Sequence, residues 1–291
     1  MKPILSILIP FYKESPCALI EALKAQPIDK VEIITFDDGS HDVALTRSVT
    51  ALCQDNIHLI TSPKNVGRAK GRNILVEHAR SDYLLFLDSD MLPDSPHFLQ
   101  TWLDHIHNED PDVTFGGFSL KYAPKDQAFA LHRLMASQSD CLPARLRQLQ
   151  PEKYVFTSNL LVKTTLIKRI GFDNGFSGWG WEDVEWAMRI AEHAKLLHID
   201  NSATHMGLDQ AATLVRKYKE SASNFARVYL AHPEVVRAYP SFKWARRLKR
   251  LPLRPLWRDG LQALALNNRL PLNLRSLSLR LYRACLYAEV V

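Results

Sequence analysis

The sequence has few cysteines, and none of them is placed for a covalent or metal-binding role. The 291 residues include four cysteines, and no pair of them has the spacing of a zinc or redox motif. They are Cys17, Cys53, Cys141 and Cys285. This scarcity argues against a disulfide-stapled secreted scaffold and indicates free thiols in a reducing compartment.

Long apolar runs are also missing. No stretch reaches the ~20 apolar residues that a membrane-spanning helix needs. The N-terminal run MKPILSILIPFYKE is short and lacks a small-residue cleavage site, so we interpret it as a buried first strand rather than a signal peptide. Internal repeats and low-complexity tracts are absent as well. These features predict a cytoplasmic protein.

Acidic residues are scarce at one end of the chain only. The whole sequence has 37 Lys+Arg and 31 Asp+Glu, a net charge of +6. Residues 211–291 contain 16 basic and 4 acidic residues, net +12, which leaves 21 and 27, net −6, for residues 1–210. Segments of opposite charge are expected to have different roles. The predicted organisation is therefore a domain over 1–210 and a basic, helical extension over 211–291.

The first hundred residues alternate strand and helix signals. Apolar runs at 4–11, 31–36, 56–62 and 83–87 are separated by stretches of helical spacing. This alternation predicts an α/β fold with a mostly parallel sheet flanked by helices. Later, 113–120 and 154–162 are predicted strands, 125–150 is helical, and 195–207 is a last strand and turn. Ligands of such sheets bind beyond the carboxyl ends of the strands, where the polar clusters PFYKE, DDGSHD and DSDMLPD lie.

Three polar segments of the first hundred residues could bind a ligand. Asp88-Ser89-Asp90 follows an apolar strand, and its paired carboxylates either bind a hard divalent cation or form a solvated turn. Asp37-Asp38-Gly39-Ser40 either accepts hydrogen bonds from a base or ribose, or simply caps the next helix. Asn65–Asn73 opens a helix with three cations, which suits a diphosphate or a solvated charged face.

The string Gly178-Trp179-Gly180-Trp181-Glu182-Asp183 is the least ordinary part of the sequence. Tryptophans beside glycines offer a flat apolar wall for a sugar, and the adjacent acids could supply a general base. The alternative is a glycine loop that caps the following helix, and both interpretations can hold together. His205 follows the last predicted strand, and alone it is more typical of a packed or surface residue than of a metal ligand.

Taken together, the motifs resemble glycosyltransferase family 2, whose members have a GT-A fold. The family pattern appears here in order over about residues 3–210, as Pro10-Phe11-Tyr12, Asp37-Asp38-Gly39-Ser40, Asn65-Val66-Gly67, Arg72-Asn73, Asp88-Ser89-Asp90 and Glu182-Asp183. The Gly-Trp-Gly-Trp-Glu-Asp string is similar to a motif of β-1,4-galactosyltransferases and bacterial chondroitin-type polymerases. Ser177 departs from the aromatic residue that the animal enzymes tend to carry.

The resemblance implies a role for each matched residue. It implies that Asp38 holds the uracil or ribose, that Asp88 holds the ribose, and that Asp90 and His205 bind Mn²⁺ or Mg²⁺. Asp183 would be the catalytic base. The remaining implied contacts are with the nucleotide donor for Pro10, Tyr12, Asn65, Arg68, Arg72 and Ser89, and with the sugar or acceptor for Trp179, Gly180 and Glu182.

The implied activity is an inverting transfer from a UDP-sugar to a hydroxyl of a saccharide or lipid-linked saccharide, with galactose or N-acetylgalactosamine favoured as the sugar. Arg68, Arg72 and the metal would stabilise the leaving UDP. Two alternatives stay open, a sugar-nucleotide nucleotidyltransferase and a non-catalytic carbohydrate-binding relative. The first usually carries a glycine-rich loop after its first strand, and the second is expected to lose the acidic motifs.

The basic tail, residues 242–291, alternates arginine, leucine and aromatic residues. Such a segment suits an anionic membrane surface, with Trp244, Trp257, Tyr282 and Tyr287 as interfacial anchors. This predicts a peripheral protein on the inner face of the membrane. A helical cap that packs its leucines on a core is the alternative. No nucleic-acid motif is present, so nucleic acid is not an expected partner.

Overall fold

The computed structural model describes residues 2–27 and 29–291, and its packing divides them into two units. The first contains the residues up to Ala123, Asp140–Gly175 and Trp186–Gly207. The second contains Pro124–Ser139, Phe176–Glu185 and Leu208–Val291. The predicted boundary at residue 210 lies near the end of the first unit, while two earlier segments pack with the second.

The strands and helices follow in chain order. The strands are β1 (Leu5–Phe11), β2 (Val31–Asp37), β3 (Ile57–Thr61), β4 (Tyr83–Leu87), β5 (Met91–Pro93), β6 (Val113–Phe115), β7 (Phe118–Ser119), β8 (Asn159–Lys163), β9 (Leu196–His198) and β10 (Ala203–His205). The helices are α1 (Cys17–Lys24), α2 (Val43–Thr50), α3 (Arg68–His78), α4 (Phe98–Glu109), α5 (Ala130–Ser139), α6 (Ala144–Arg147), α7 (Thr164–Arg169), α8 (Glu182–Ala191), α9 (Ala211–Ala231), α10 (Pro233–Ala238), α11 (Pro240–Leu248), α12 (Arg254–Leu266) and α13 (Leu272–Val290).

The main sheet of the first unit confirms the predicted α/β class with mostly parallel strands. Its strand order is β3-β2-β1-β4-β8-β6-β9, and within it β8 runs antiparallel to its neighbours β4 and β6. A smaller sheet has the order β5-β10-β7. Strands β1 to β4 are parallel, so their carboxyl ends lie at one edge of the main sheet. Strands β2 and β3 are added on one side of β1, whereas β4 lies on its other side. Open α/β sheets bind ligands at such a point, where the strand order reverses.

Burial on both faces of the sheet explains why these strands appear as continuous apolar runs in the sequence. Every residue of β2 is buried, and β4 is buried throughout, as expected of parallel strands covered on both faces. Side chains of β1 alternate between two apolar clusters: Leu5 and Ile7 pack with Trp102 of α4, whereas Leu8 packs with Leu75 of α3. The period of two residues in β1 therefore divides it between both faces.

Three strand predictions need correction. The predicted strand over 113–120 is two strands, β6 in the main sheet and β7 in the small one. Residues 195–207 are not one strand but two, β9 in the main sheet and β10 in the small one. Asn201 makes the turn between them, since its side-chain amide donates to Phe98 O (3.0 Å) and its backbone N–H donates to Gly116 O (3.0 Å). The predicted strand over 154–162 begins only at Asn159, because Pro151–Tyr154 forms a 3₁₀ turn.

The helices of the second unit confirm that the C-terminal segment is helical. Long helix α13 packs against α9, α11 and α12. Tyr282 and Tyr287 are only 2% and 1% exposed, so the expectation that they anchor the chain at a membrane surface is wrong. The ring of Tyr287 stacks on Phe225 of α9 with centroids 3.9 Å apart. Within the described residues, no helix is both long and apolar enough to cross a bilayer.

We expect Tyr287→Ala to lower the free energy of unfolding by about 3–5 kcal/mol, because it empties a buried aromatic site. The matched control is Trp257→Ala, which removes a 56% exposed side chain and should cost within about 0.5 kcal/mol. Denaturant unfolding followed by circular dichroism measures both. Equal effects would contradict the assignment of α13 to the core of the second unit.

Candidate functional site

The acidic motif after β4 is organised by a buried arginine. Arg72, on α3, donates from Nη2 to Asp88 Oδ1 at 2.5 Å, and its side chain is 2% exposed. Arg68, one turn earlier, lies 3.6 Å from Asp88 Oδ2 and is 42% exposed. A buried guanidinium needs a carboxylate partner, and Asp88 provides it. Arg72 therefore binds Asp88 in the protein interior, whereas Arg68 is exposed at the N-terminus of α3.

Asp90 meets His205 across the small sheet. Residue 205, in β10, pairs with Met91 of β5, and this register brings His205 Nε2 to 3.0 Å from Asp90 Oδ2. Burial raises the pKa of the Asp90 carboxyl, but the hydrogen bond and charge of His205 and the charge of Arg68 outweigh it, so the pKa is lowered. The family resemblance implied that Asp90 and His205 share a metal site, and the structure places their side chains 3.0 Å apart.

The Asp90 side chain packs directly against the backbone of Gly207. A Cβ atom added at Gly207 would lie 1.9 Å from Asp90 Oδ2, so a larger residue there would displace the carboxylate from this position. Two side chains of metal-ligating type thus face each other, and the glycine accommodates one of them. In residues 2–27 and 29–291, no group of three or more His, Cys, Asp or Glu side chains is arranged to hold a metal ion.

The motif after β2 is tied to the loop before α3. Asp38 accepts hydrogen bonds from the backbone N–H groups of Val66 (2.6 Å) and Gly67 (3.0 Å). Burial raises the pKa of the Asp38 carboxyl, although these two hydrogen bonds oppose the shift. Gly39 has φ of 74°, and a Cβ there would lie 2.5 Å from the carbonyl carbon of Lys64. Asp38 therefore fixes the position of the Asn65–Gly67 loop.

The other expected donor contacts lie near the same edge. Pro10 is partly buried near the end of β1, opposite Phe36 of β2. Tyr12 follows β1 and is 44% exposed. Asn65 is exposed, and Ser89 is partly buried. Parallel strands that end at a common edge bring these segments of sequence together.

The Gly-Trp-Gly-Trp loop belongs to the second unit and has an unusual backbone. Gly178, Gly180 and Trp181 all have positive φ, at 70°, 86° and 77°. A bulky residue such as Trp181 is uncommon in this region and needs support from its surroundings. Trp181 Nε1 donates to the hydroxyl of Tyr287 at 2.9 Å, and its ring contacts Phe225. Trp181 is thus a structural residue of the loop.

Asn224, on α9, holds the same loop and was not singled out from the sequence. Its side-chain amide donates to Ser177 O and Gly180 O, both at 2.9 Å. A polar residue in the middle of an amphipathic helix gives no local signal that it bonds a distant loop. Gly207 was missed for a similar reason, since its role depends on where Asp90 lies.

The remaining residues of this motif differ in exposure. Trp179 is partly buried beside Tyr218, with ring centroids 6.0 Å apart, and Lys217 Nζ lies 5.8 Å from its ring. Glu182 is 4% exposed, and Asp183 is partly buried in the first turn of α8. These side chains and Gly180 belong to the second unit, whereas Asp38, Asp88, Asp90 and His205 belong to the first.

Comparison with known proteins supports a single family. The sequence model of glycosyl transferase family 2 matches residues 6–168. Validoxylamine A glucosyltransferase of Streptomyces hygroscopicus subsp. jinggangensis is 24% identical over 276 residues, which cover 84% of this chain and 64% of that protein. Glycosyltransferase GlyG of Streptococcus pneumoniae is 22% identical over 187 residues, covering 60% and 62%. The chain thus spans less than two thirds of either relative.

Solved structures share the fold. The mannosyltransferase PcManGT from Pyrobaculum calidifontis, in complex with GDP-Man and Mn²⁺, superposes with a TM-score of 0.61 at 17% identity, covering 99% of this chain and 88% of that one. TarS of S. aureus, residues 1–349 in complex with UDP, gives 0.55 at 16% identity, covering 100% and 90%. These similarities confirm the expected GT-A fold. The family match ends before residue 178, so the galactosyltransferase-like motif stays a prediction.

We expect Arg72→Met to lower the free energy of unfolding by about 1–3 kcal/mol, because Asp88 loses its buried partner. Arg68→Met is the matched control and should cost less than about 1 kcal/mol, since its contact with Asp88 is longer and solvated. Thermal and denaturant unfolding of both variants give the comparison. A larger effect of the Arg68 variant would contradict the assignment of Arg72 as the residue that holds Asp88.

Proposed function

The chain belongs to glycosyl transferase family 2, and from that membership we propose that it transfers a sugar from a nucleotide diphosphate donor to an acceptor hydroxyl. The observation that carries the proposal is the pairing of Asp90 with His205 next to the Arg72-bound Asp88. A solvated turn does not explain a buried arginine bound to one carboxylate and a histidine bound to the other. These contacts support the proposal that the acids bind a ligand.

The donor subsite is proposed at the carboxyl ends of β1, β2 and β4. Asp38 would orient the Asn65–Gly67 loop and offer its remaining lone pairs to the base or ribose, and Asp88 would accept from the ribose. Arg68 is proposed to face the diphosphate, because its side chain is 42% exposed whereas Arg72 is buried against Asp88. Pro10, Tyr12, Asn65 and Ser89 complete the proposed donor contacts. Arg72 acts as a positioning residue in this scheme.

Asp90 and His205 are proposed to hold a divalent cation, Mn²⁺ or Mg²⁺. The two side chains approach to 3.0 Å, a separation at which both can bind one ion. A carboxylate suits both ions, an imidazole favours Mn²⁺, and two protein ligands leave coordination positions for donor oxygens and water. When bound, the ion would neutralise charge on the departing diphosphate.

Asp183 is proposed as the catalytic base. It lies in the first turn of α8, within the motif that supplies Trp179 as a proposed apolar wall for the sugar. Asp183 would take the proton from the acceptor hydroxyl as that oxygen attacks the anomeric carbon from the face opposite the nucleotide. The bond to the diphosphate oxygen breaks in the same step, so the anomeric configuration inverts. Gly180 and Glu182 are proposed to shape the same acceptor pocket.

The donor is proposed to be a UDP-sugar, with galactose or N-acetylgalactosamine as the sugar. TarS has been solved with UDP and with UDP-GlcNAc, while PcManGT has been solved with GDP-Man. A screen should therefore compare UDP-Gal, UDP-GalNAc, UDP-GlcNAc and GDP-Man. Release of the nucleoside diphosphate supports a transferase, release of pyrophosphate would indicate a nucleotidyltransferase, and release of neither would indicate a binding protein.

The acceptor is proposed to be a hydroxyl of a saccharide or of a lipid-linked saccharide. A lipid-linked acceptor would be met at the cytoplasmic face of a membrane. The basic second unit favours this location, because residues 211–291 have a net charge of +12 and anionic lipids attract such segments.

We expect Asp90→Ala and His205→Ala to weaken Mn²⁺ binding and to lower transfer by at least ~10–100-fold, because each removes one of two proposed ligands. Calorimetry measures the metal affinity directly, and excess EDTA should abolish transfer by the unaltered protein. The control Asp55→Ala removes an exposed carboxylate of the first unit and should change neither. Full turnover in EDTA would refute metal dependence, and an unchanged Mn²⁺ titration for His205→Ala would remove that residue from the site.

We expect Asp183→Asn to lower kcat by ~10²–10⁴-fold and to leave UDP affinity nearly unchanged, because a general base acts on the acceptor and not on the nucleotide. Glu234→Gln, which neutralises an exposed acid of the same unit, is the control and should behave like the unaltered protein. Loss of UDP affinity in the Asp183 variant would instead make it a donor or metal residue.

A further inference from the structure

The segment joining α11 to α12 exposes a cluster of large apolar side chains. We call residues 243–258 the α11–α12 corner. Phe242 and Ala245 of α11 are buried and fix the helix to its unit. The exposed apolar side chains of the corner are Trp244 (47%), Leu251 (40%), Leu253 (69%), Leu256 (67%) and Trp257 (56%). Single exposed apolar side chains are ordinary on a protein surface, whereas five large ones within residues 244–257 indicate a candidate interaction site.

The corner also carries a one-sided charge. Within residues 243–258 the sequence contains seven basic residues and no acidic one, at Lys243, Arg246, Arg247, Lys249, Arg250, Arg254 and Arg258. Lys243, Arg246 and Arg250 are exposed and form no ion pair with any other residue that the structure describes. Cations that stabilise a fold usually have partners within it, so these three are available to an external anion.

The backbone at Leu253 has an unusual conformation. Leu253 has a positive φ of 53° between Pro252 and Arg254, where helix α11 has ended and α12 has not begun. Leucine seldom adopts this conformation, and here the side chain is the most exposed of the five apolar ones. Packing within the chain therefore gives no reason for leucine at this position.

We propose that the α11–α12 corner docks the protein on an anionic lipid surface. Leu253, Leu256 and Trp257 would enter the boundary between headgroups and acyl chains, while Lys243, Arg246 and Arg250 would contact lipid phosphates. A second copy that docked through the same corner would bring like charges together. A nucleic acid would satisfy the cations but leave the leucines and tryptophans in water. Of these three surfaces, only anionic lipid pairs with both kinds of side chain.

This docking deepens the membrane location proposed above but does not require donor, metal or transfer. Each cation near an anionic surface strengthens binding about fivefold. Arg246→Gln/Arg250→Gln should therefore lower the partition coefficient on the order of 30-fold. The matched control is Lys168→Gln/Arg169→Gln on α7, which removes two exposed, unpaired cations from the first unit and should have little effect. A second variant, Leu253→Asn/Trp257→Ala, should lower partitioning about tenfold by removing the buried apolar area.

The measurement is co-sedimentation of the full chain and its variants with phosphatidylcholine vesicles, with and without phosphatidylglycerol. We expect pelleting that depends on phosphatidylglycerol and weakens in 1 M salt, where the screening length falls to ~3 Å. Circular dichroism checks that each variant melts like the unaltered protein. Transfer to a soluble acceptor should be unchanged in all variants, so failure of docking and failure of the transferase proposal are separately visible.

Three results would overturn the proposal. The first is absence of pelleting by the full chain with anionic vesicles at low salt. The second is an equal loss of binding in the α7 control, which would indicate a response to net charge alone. The third is sensitivity to the arginine substitutions without any sensitivity to Leu253→Asn/Trp257→Ala. Tight binding of the full chain to heparin in that case would identify a general polyanion surface instead.

Discussion

Parallel strands cannot be joined by tight hairpins, so each of β1 to β4 is connected to the next by a crossover, and all four end at the same edge of the sheet. The proposed donor site depends on this constraint. It brings the residues after β1, β2 and β4 together although they are far apart in sequence. It also brings acidic residues of two motifs, Asp37 and Asp38 with Asp88 and Asp90, to one edge of a buried sheet, where their charges need compensation.

Each of three acidic side chains at this edge has a different partner for its negative charge. Asp88 is neutralised by a buried arginine, and Asp38 by two backbone N–H groups of the neighbouring loop. Asp90 faces His205 and packs against Gly207. Within one motif, Asp88 is thus paired with an arginine and Asp90 with a histidine. Burial separates Arg72, which positions Asp88, from Arg68, which extends into solvent.

In the second unit, some aromatic residues are buried and hold the fold together, whereas others are exposed. Trp181 and Tyr287 join the Gly-Trp-Gly-Trp loop to helix α13, and Asn224 ties the same loop to α9. The basic tail, for which membrane binding and core packing were alternatives, is divided along its length. Helix α13 packs in the core of its unit. The α11–α12 corner exposes tryptophans and leucines beside Lys243, Arg246 and Arg250, which form no ion pair within the described part of the chain.

The amino-acid sequence by itself determined the fold class and the order of the motifs, because strands buried on both faces produce continuous apolar runs and motif spacing is local. It also indicated His205 through a family resemblance. The tertiary structure decided which charged residues are already paired, which aromatic residues are buried, and that residues 195–207 serve two sheets. The sequence does not show that Arg72 is buried and Arg68 exposed, or that Tyr287 is buried and Trp257 exposed. Their roles differ because burial and hydrogen-bond partners come from residues distant in the chain, which local periodicity does not encode.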